Sequence, residues 1–324
     1  MTDLALIAGV VALVAAFRHR ISQLPVTSPM IFVAAGLVLG ADGLGWLSIE
    51  LESESVALLA EFTLALLLFA DASRIDVRRL GSSAAIPARL LLIGLPLTVA
   101  MGTFVTALLL TDLSWPEAAL VAAILAPTDA ALGEAVVTNP AVPTRIRQAL
   151  NVESGLNDGL VVPAVAVFTS LAAGVELDEP VEFLGDALAE IALGLAVGVA
   201  TAFVLAKLTK LAMRYGWSDD EGYRLVMVGG AVIAFAGADI AGGNGFIAAF
   251  VGGLLVRSFA GEPVDEQAEL TEDVGQIGAA ATFIVFGALL VWPALEALTV
   301  PVAACAIGTL TIGRMLPVWI AFLG

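Results

Sequence analysis

Two carboxylates stand inside apolar stretches of this chain: Asp129 in LAPTDAALGEA and Asp158 in NVESGLNDGLVVPAV. A charged side chain at the centre of a bilayer costs at least about 2.5–3.5 kcal/mol on insertion scales. A sequence that carries two of them so close together is most simply read as one that binds and moves a cation. Pro127 and Thr128 precede Asp129. Proline removes a backbone donor and frees a carbonyl in the preceding turn, so a helix break is expected near Pro127–Asp129. Membrane transporters use such breaks to coordinate ions.

The second acid lies in a different pattern. Ser154 and Asp158 are one helical turn apart, as are Glu153 and Asn157 on the neighbouring face. One face therefore offers a hydroxyl and a carboxylate, the oxygen ligands that hard cations take. The other offers a carboxylate and an amide to protein partners. Arg314, in CAIGTLTIGRMLPVWIAFLG, is the one basic residue deep in an apolar span, and Glu153 is read as its neutralising partner. If charge alone joins them, exchanging the two residues should restore folding lost in either single change. Asp158 has no spare cation left to pair with. Asp71 of FADASRID, near the cytoplasmic end of its apolar span, has two open readings, a solvated helix-end acid or an entrance and ligand group. Asp76 is read as interfacial, Glu134 as lining an inner funnel, and Glu61 and Asp239 as packing groups without an assigned role.

The elements that must position these residues are membrane spans. The chain of 324 residues is 60% hydrophobic and 14% charged, which excludes a soluble globular domain. Eleven apolar spans can be drawn, at 3–17, 27–47, 55–72, 84–110, 116–138, 147–173, 183–213, 223–241, 243–259, 271–292 and 297–322. Of the 14 Lys and Arg residues, all but Arg314 follow odd-numbered spans, among them Arg18, Arg74, Arg147, Lys207, Lys210 and Arg257. The other loops carry Asp42, Glu50, Asp112 and Glu176. The distribution predicts odd-numbered loops in the cytoplasm and an external N-terminus. The single Cys305 excludes disulfides, and His19 between Arg18 and Arg20 is read as part of a basic anchor rather than a metal ligand.

FADASRID, LAPTDAA, ESGLNDG, GGNGFIAAFVGGLLV and GRMLPV, in this order along nearly the whole chain, resemble the sodium/proton exchanger branch of the monovalent cation:proton antiporters. The resemblance implies an all-α polytopic membrane protein, with about eleven transmembrane helices of a thirteen-helix fold of inverted repeats. It divides the chain into a first repeat over 1–182, a linking helix over 183–214 and an incomplete second repeat over 215–324. By that plan two helices are absent, including a second broken helix that crosses the first, so a fragment or a shortened relative is expected. The resemblance maps ion and proton binding to Asp158, Asp129, Ser154, Thr128 and Asp71, with Na⁺ at Asp158, Asp129 and Ser154. It maps the structural ion pair to Glu153 and Arg314. Asp71 stands where some relatives carry glutamate. Asn157 before Asp158 implies one cation exchanged for one proton, since relatives with two adjacent aspartates are generally electrogenic.

The expected function is exchange of a monovalent cation, Na⁺ first and Li⁺ or K⁺ as alternatives, for protons across the cell membrane, in pH and sodium homeostasis. A homodimer is implied, with no cofactor beyond the transported ions, no enzymatic activity and no nucleic-acid partner. A passive cation channel and a non-transporting fragment are the alternatives. An intramembrane aspartyl protease would need a close carboxylate dyad, and the GxGD context of such enzymes is absent from the sequence.

Overall fold

The computed structural model describes residues 2–21, 26–49, 54–75, 85–128, 141–174, 180–261 and 264–322, and among them regular structure is helical throughout. That follows from the composition, because a helix satisfies its own backbone where no water can. The helices are α1 (Thr2–Ala16), α2 (Ser28–Leu39), α3 (Glu54–Ser73), α4 (Ala85–Leu109), α5 (Trp115–Leu125), α6 (Thr144–Ala172), α7 (Pro180–Arg214), α8 (Asp220–Ile240), α9 (Gly245–Ala260), α10 (Asp265–Leu289) and α11 (Val300–Phe322). Short helical turns, Arg18–Ile21 and Val291–Glu296, follow α1 and α10. A helix thus overlaps each predicted span. Six of them, α3, α4, α8, α10, α11 and Leu188–Arg214 of α7, are long and apolar enough to cross a membrane.

Boundaries depart from the hydropathy pattern where backbone chemistry intervenes. The helix of span 2 stops at Leu39, and the amides of Trp46 and Leu47 turn back onto the Leu39 carbonyl. Gly45, at φ 68°, supplies the left-handed residue that this reversal needs. Starts are marked by side-chain caps. Asp219 accepts from the Gly222 amide at 2.9 Å and Asn244 from the Ile247 amide at 3.0 Å. Helix α4 contains a π-helical turn at Leu90–Gly94, just before Pro96. Helix α11 is interrupted at Thr311, which leaves the helical region with φ −100° and ψ −85°.

The helices sort into two bundles. In the first, α10 packs along α2 and α3, α9 along α3 and α7, and α8 against α7, α9 and α10. Phe69, Leu66, Met227, Val256 and Ala249 form its core. In the second, α4 lies against α5 and α11, and α6 against α5. The grouping cuts across the sequence halves, since α11 joins α4–α6 while α8–α10 join α2 and α3. Where the bundles meet, Leu156 of α6 enters an apolar cluster of Leu68, Ala72, Ile247, Phe250 and Val251 from α3 and α9.

Close approach inside the first bundle depends on missing side chains. A Cβ at Gly36 would collide with the Ile284 carbonyl, one at Gly287 with the Val33 carbonyl, and one at Gly253 with the Phe69 carbonyl. Gly253→Ala is therefore expected to lower the melting temperature in detergent. Alanine gains at most about 1 kcal/mol of helix propensity, whereas forcing packed backbones apart costs about 1–3 kcal/mol. A melting temperature equal to or above the parent's would contradict this packing.

Three ion pairs lie at one end of the first bundle. Arg74 at the end of α3 pairs with Glu272 of α10, Arg257 of α9 with Asp265 at 3.5 Å, and Arg224 of α8 with Glu269 at 3.9 Å. Arg257 also donates to the Arg74 carbonyl at 3.3 Å. At the opposite end, the 241–244 turn hooks onto α7, where the Glu190 carbonyl accepts the Asn244 amide at 3.0 Å.

Candidate ion-binding site

Proline at 127 decides how α5 ends. Its nitrogen has no hydrogen to give the Ala123 carbonyl, and the Ala126 amide takes that acceptor instead, at 3.4 Å. The helix stops at Leu125, and the carbonyls of residues 126, 127 and 128 lie just past its end. Side chains from two other helices reach them. Arg314 Nη1 donates to the Ala126 carbonyl at 2.7 Å and to the Pro127 carbonyl at 3.4 Å, and the Ser154 hydroxyl donates to the Thr128 carbonyl. Arg314 reaches this point because it lies just past the interruption of α11. Thr309, Leu310 and Arg314 line one small cavity together with Ala122, Leu125 and Ala126.

Glu153 closes the network. One of its oxygens accepts the Thr128 hydroxyl at 2.9 Å. The other lies 3.5 Å from Arg314 Nη2 and accepts from Asn157 Nδ2 at 3.2 Å. The same Asn157 nitrogen donates to Thr128 Oγ1 at 2.7 Å. Ser154 and Asn157 are buried, and Glu153 and Arg314 keep 13% and 22% of their side chains exposed, so a lost partner here would be replaced poorly by water.

Of the residues singled out from sequence, the structure brings together Thr128, Glu153, Ser154, Asn157 and Arg314. Asp158 occupies the next position of α6, and its side chain is outside what the structure describes; Asp129, Asp76 and Glu134 lie outside the described residues altogether. Asp71 sits in the last turn of α3, in the bundle that α6 abuts, between the fully buried Ala70 and Ala72. The carbonyls of Ala126 and Pro127 were not foreseen as partners of Arg314. The signal was present, because a proline ends a helix and exposes the carbonyls past its end, and an arginine in hydrocarbon needs acceptors. The end of α5 meets α11 at the interruption of that helix. A cavity of about 460 Å³, lined by Asp186, Glu190 and Asp239 at the far end of α7, does not touch this network.

The family model for the sodium/hydrogen exchanger transmembrane region matches residues 9–324. This chain belongs to that family. It is accordingly a multi-pass membrane protein of a transporter family. Among its relatives, the K(+)/H(+) antiporter NhaP2 of Shewanella sp. strain ANA-3 is 26% identical over 304 residues, covering 93% of this chain and 52% of that protein. The Na(+)/H(+) antiporter NhaS2 of Synechocystis sp. strain PCC 6803 is 27% identical over 337 residues, covering 98% of this chain and 56% of that protein. This exchanger-family chain thus spans about half the length of the relatives it matches. Its fold is that of the sodium proton antiporter MjNhaP1 from Methanocaldococcus jannaschii at pH 8, with a TM-score of 0.79 at 21% identity, covering 99% of this chain and 78% of that one.

Proposed function

We propose that this protein exchanges a monovalent cation for protons across the cell membrane by competition at Asp158, with Asp129, Ser154, Thr128 and Asp71 completing the path. The observation that carries the reading is the network at the end of α5. Three carbonyls just past the end of α5 are held by Arg314 of α11 and by Ser154, which stands one turn before Asp158 on α6. A carboxylate kept from water strongly favours a neutralising partner. A proton and a cation can each serve, but not together. The neutralised forms cross and the bare anion does not, which couples the two flows. The named relatives divide between K⁺ and Na⁺, and oxygen ligands of this kind suit Na⁺, Li⁺ and K⁺ alike. Na⁺ is proposed first, with pH and sodium homeostasis as the role. The repeat organisation, the homodimer and the orientation with odd-numbered loops in the cytoplasm belong to the same proposal.

Purified protein in liposomes loaded with a pH dye tests it. External Na⁺, Li⁺ or K⁺ should drive protons out and alkalinise the lumen. Cation uptake without proton counterflow would identify a passive channel and overturn the reading. Because Glu153 is paired with Arg314 and Asn157 adds no titrating group, the exchange is expected to be electroneutral. Its rate should not change when the sign of an imposed membrane potential is reversed; a rate that follows the potential would refute one-for-one exchange.

A further inference from the structure

Helix α7 is longer than a bilayer needs. Its apolar part, Leu188–Arg214, has 27 residues and runs about 40 Å at about 1.5 Å per residue, against a hydrocarbon core of about 30 Å. Asp186 and Glu190 make the other end polar, so the surplus of about 10 Å falls from Lys207 onward, at headgroup level. Lys207, Lys210 and Arg214 stand there at i, i+3 and i+7, in one exposed stripe. Val204, Leu208 and Leu211 flank the stripe and are exposed as well. Among the described residues no ion pair joins any of the three cations to an acid, whereas Arg74, Arg224 and Arg257 at the same end of the bundle each have one. The stripe is also braced. Lys207 Nζ lies 5.4 Å from the centre of the Phe203 ring, and Phe203 meets Phe259 of α9 edge-on at 5.8 Å. Beyond Arg214 the helix closes through Gly216 at φ 66°; the Trp217 amide donates to the Ala212 carbonyl at 2.8 Å and the Gly216 amide to that of Met213 at 3.1 Å. That closure stacks Tyr215 on Trp217 at 5.1 Å, with 59% and 75% of their surfaces exposed. Tyrosine and tryptophan left open in this way settle at the membrane–water boundary.

We propose that this end of α7 binds an anionic phospholipid, its phosphate held by Lys207, Lys210 and Arg214 and its acyl chains laid along Val204, Leu208 and Leu211. Charge complementarity selects the occupant. Cations without a protein counter-charge, beside apolar surface and at headgroup depth, fit a phosphodiester joined to hydrocarbon. A second copy of the chain fits this end poorly. Two copies inserted the same way about an axis along the membrane normal would bring the same cations to the same depth, like charge against like. In the orientation proposed above the lipid belongs to the cytoplasmic leaflet. The inference needs only that the chain spans a bilayer, and stands whether or not the protein exchanges ions.

The experiment follows the melting temperature of the purified protein in an uncharged detergent as phosphatidylglycerol is added, with phosphatidylcholine of the same acyl chains and inorganic phosphate as controls. Phosphatidylglycerol should stabilise the parent, and neither control should. When Lys207→Gln, Lys210→Gln and Arg214→Gln are combined, the phosphatidylglycerol concentration for half-maximal stabilisation should rise roughly a hundredfold, about fivefold for each charge lost beside the headgroup. Lys207→Arg with Lys210→Arg keeps the charge, and its midpoint should stay close to the parent's. An unmoved midpoint in the triple glutamine variant would overturn the proposal, because the lipid would then sit elsewhere. Equal stabilisation by phosphatidylcholine would mean that acyl chains alone are recognised, and equal stabilisation by phosphate would mean an anion site without a lipid; either overturns it. So would a parent indifferent to phosphatidylglycerol. A triple variant that differs from the parent in size-exclusion volume, with a midpoint that follows protein concentration, would make this face a contact between copies and refute the lipid site. If the triple variant does not fold, Lys210→Gln alone should show the fivefold rise, and an unchanged midpoint there is equally decisive against it.

Discussion

Asp158→Asn is expected to reduce cation-driven proton movement in liposomes to the level of empty vesicles while leaving the protein folded. Asparagine can hold neither the proton nor the charge that attracts the cation. A unit charge about 4 Å away contributes about 4 kcal/mol at an effective dielectric constant near 20. Losing it corresponds to about a thousandfold in affinity. Stability should move the other way, because a carboxylate in an apolar span is costly, and its neutral isostere removes that cost. A melting temperature equal to or above the parent's, together with absent exchange, is the expected pair. Residual coupled transport would show that the exchanging group lies elsewhere, with Asp129 as the next candidate.

The second large effect belongs to Arg314. Arg314→Met should sharply reduce the yield of folded protein, because Glu153 and the carbonyls of Ala126 and Pro127 lose their donor at once. Breaking a buried pair by removing one partner costs about 3–5 kcal/mol. Arg314→Lys should recover part of this, since one ammonium cannot span two carbonyls and a carboxylate as a guanidinium fork does. The geometry also changes what charge reversal should do. A simple ion pair predicts rescue when Glu153→Arg is combined with Arg314→Glu. Here the carboxylate brought to position 314 would face the Ala126 and Pro127 carbonyls, acceptor against acceptor. Melting curves and size-exclusion profiles of the two single variants and the reversed pair in detergent decide between the two. Full rescue by the reversed pair would mean that the carbonyl contacts matter little.

The parts legible in the sequence were those with a local cause. Apolar run lengths placed the helices, the basic residues marked one set of ends, and Pro127 marked the break. What could not be read depends on which helices meet. Nothing in the spacing of α11 says that it packs with α4–α6, or that its interruption at Thr311 sets Arg314 beside α5. The pattern of ESGLNDG placed Ser154 and Asp158 on one face, yet the Ser154 hydroxyl hydrogen goes to the backbone carbonyl of Thr128, just past the end of α5. Which hydrogens are spent and which oxygens stay bare follows from distances of a few tenths of an ångström. Residue identity does not carry that information. The end of span 2 was missed for a plainer reason, because leucine and tryptophan count as apolar whether they continue a helix or fold back on it.

The seam between the bundles has a mechanical consequence. Leu156 lies among Leu68, Ala72, Ile247, Phe250 and Val251, and each hydrogen bond and ion pair named above joins residues of a single bundle. Dispersion has no directional preference, so oily surfaces can be displaced along one another with little change in energy as long as they stay in touch. Where this apolar cluster forms the join, it resists sliding less than the directional bonds named on either side resist breaking.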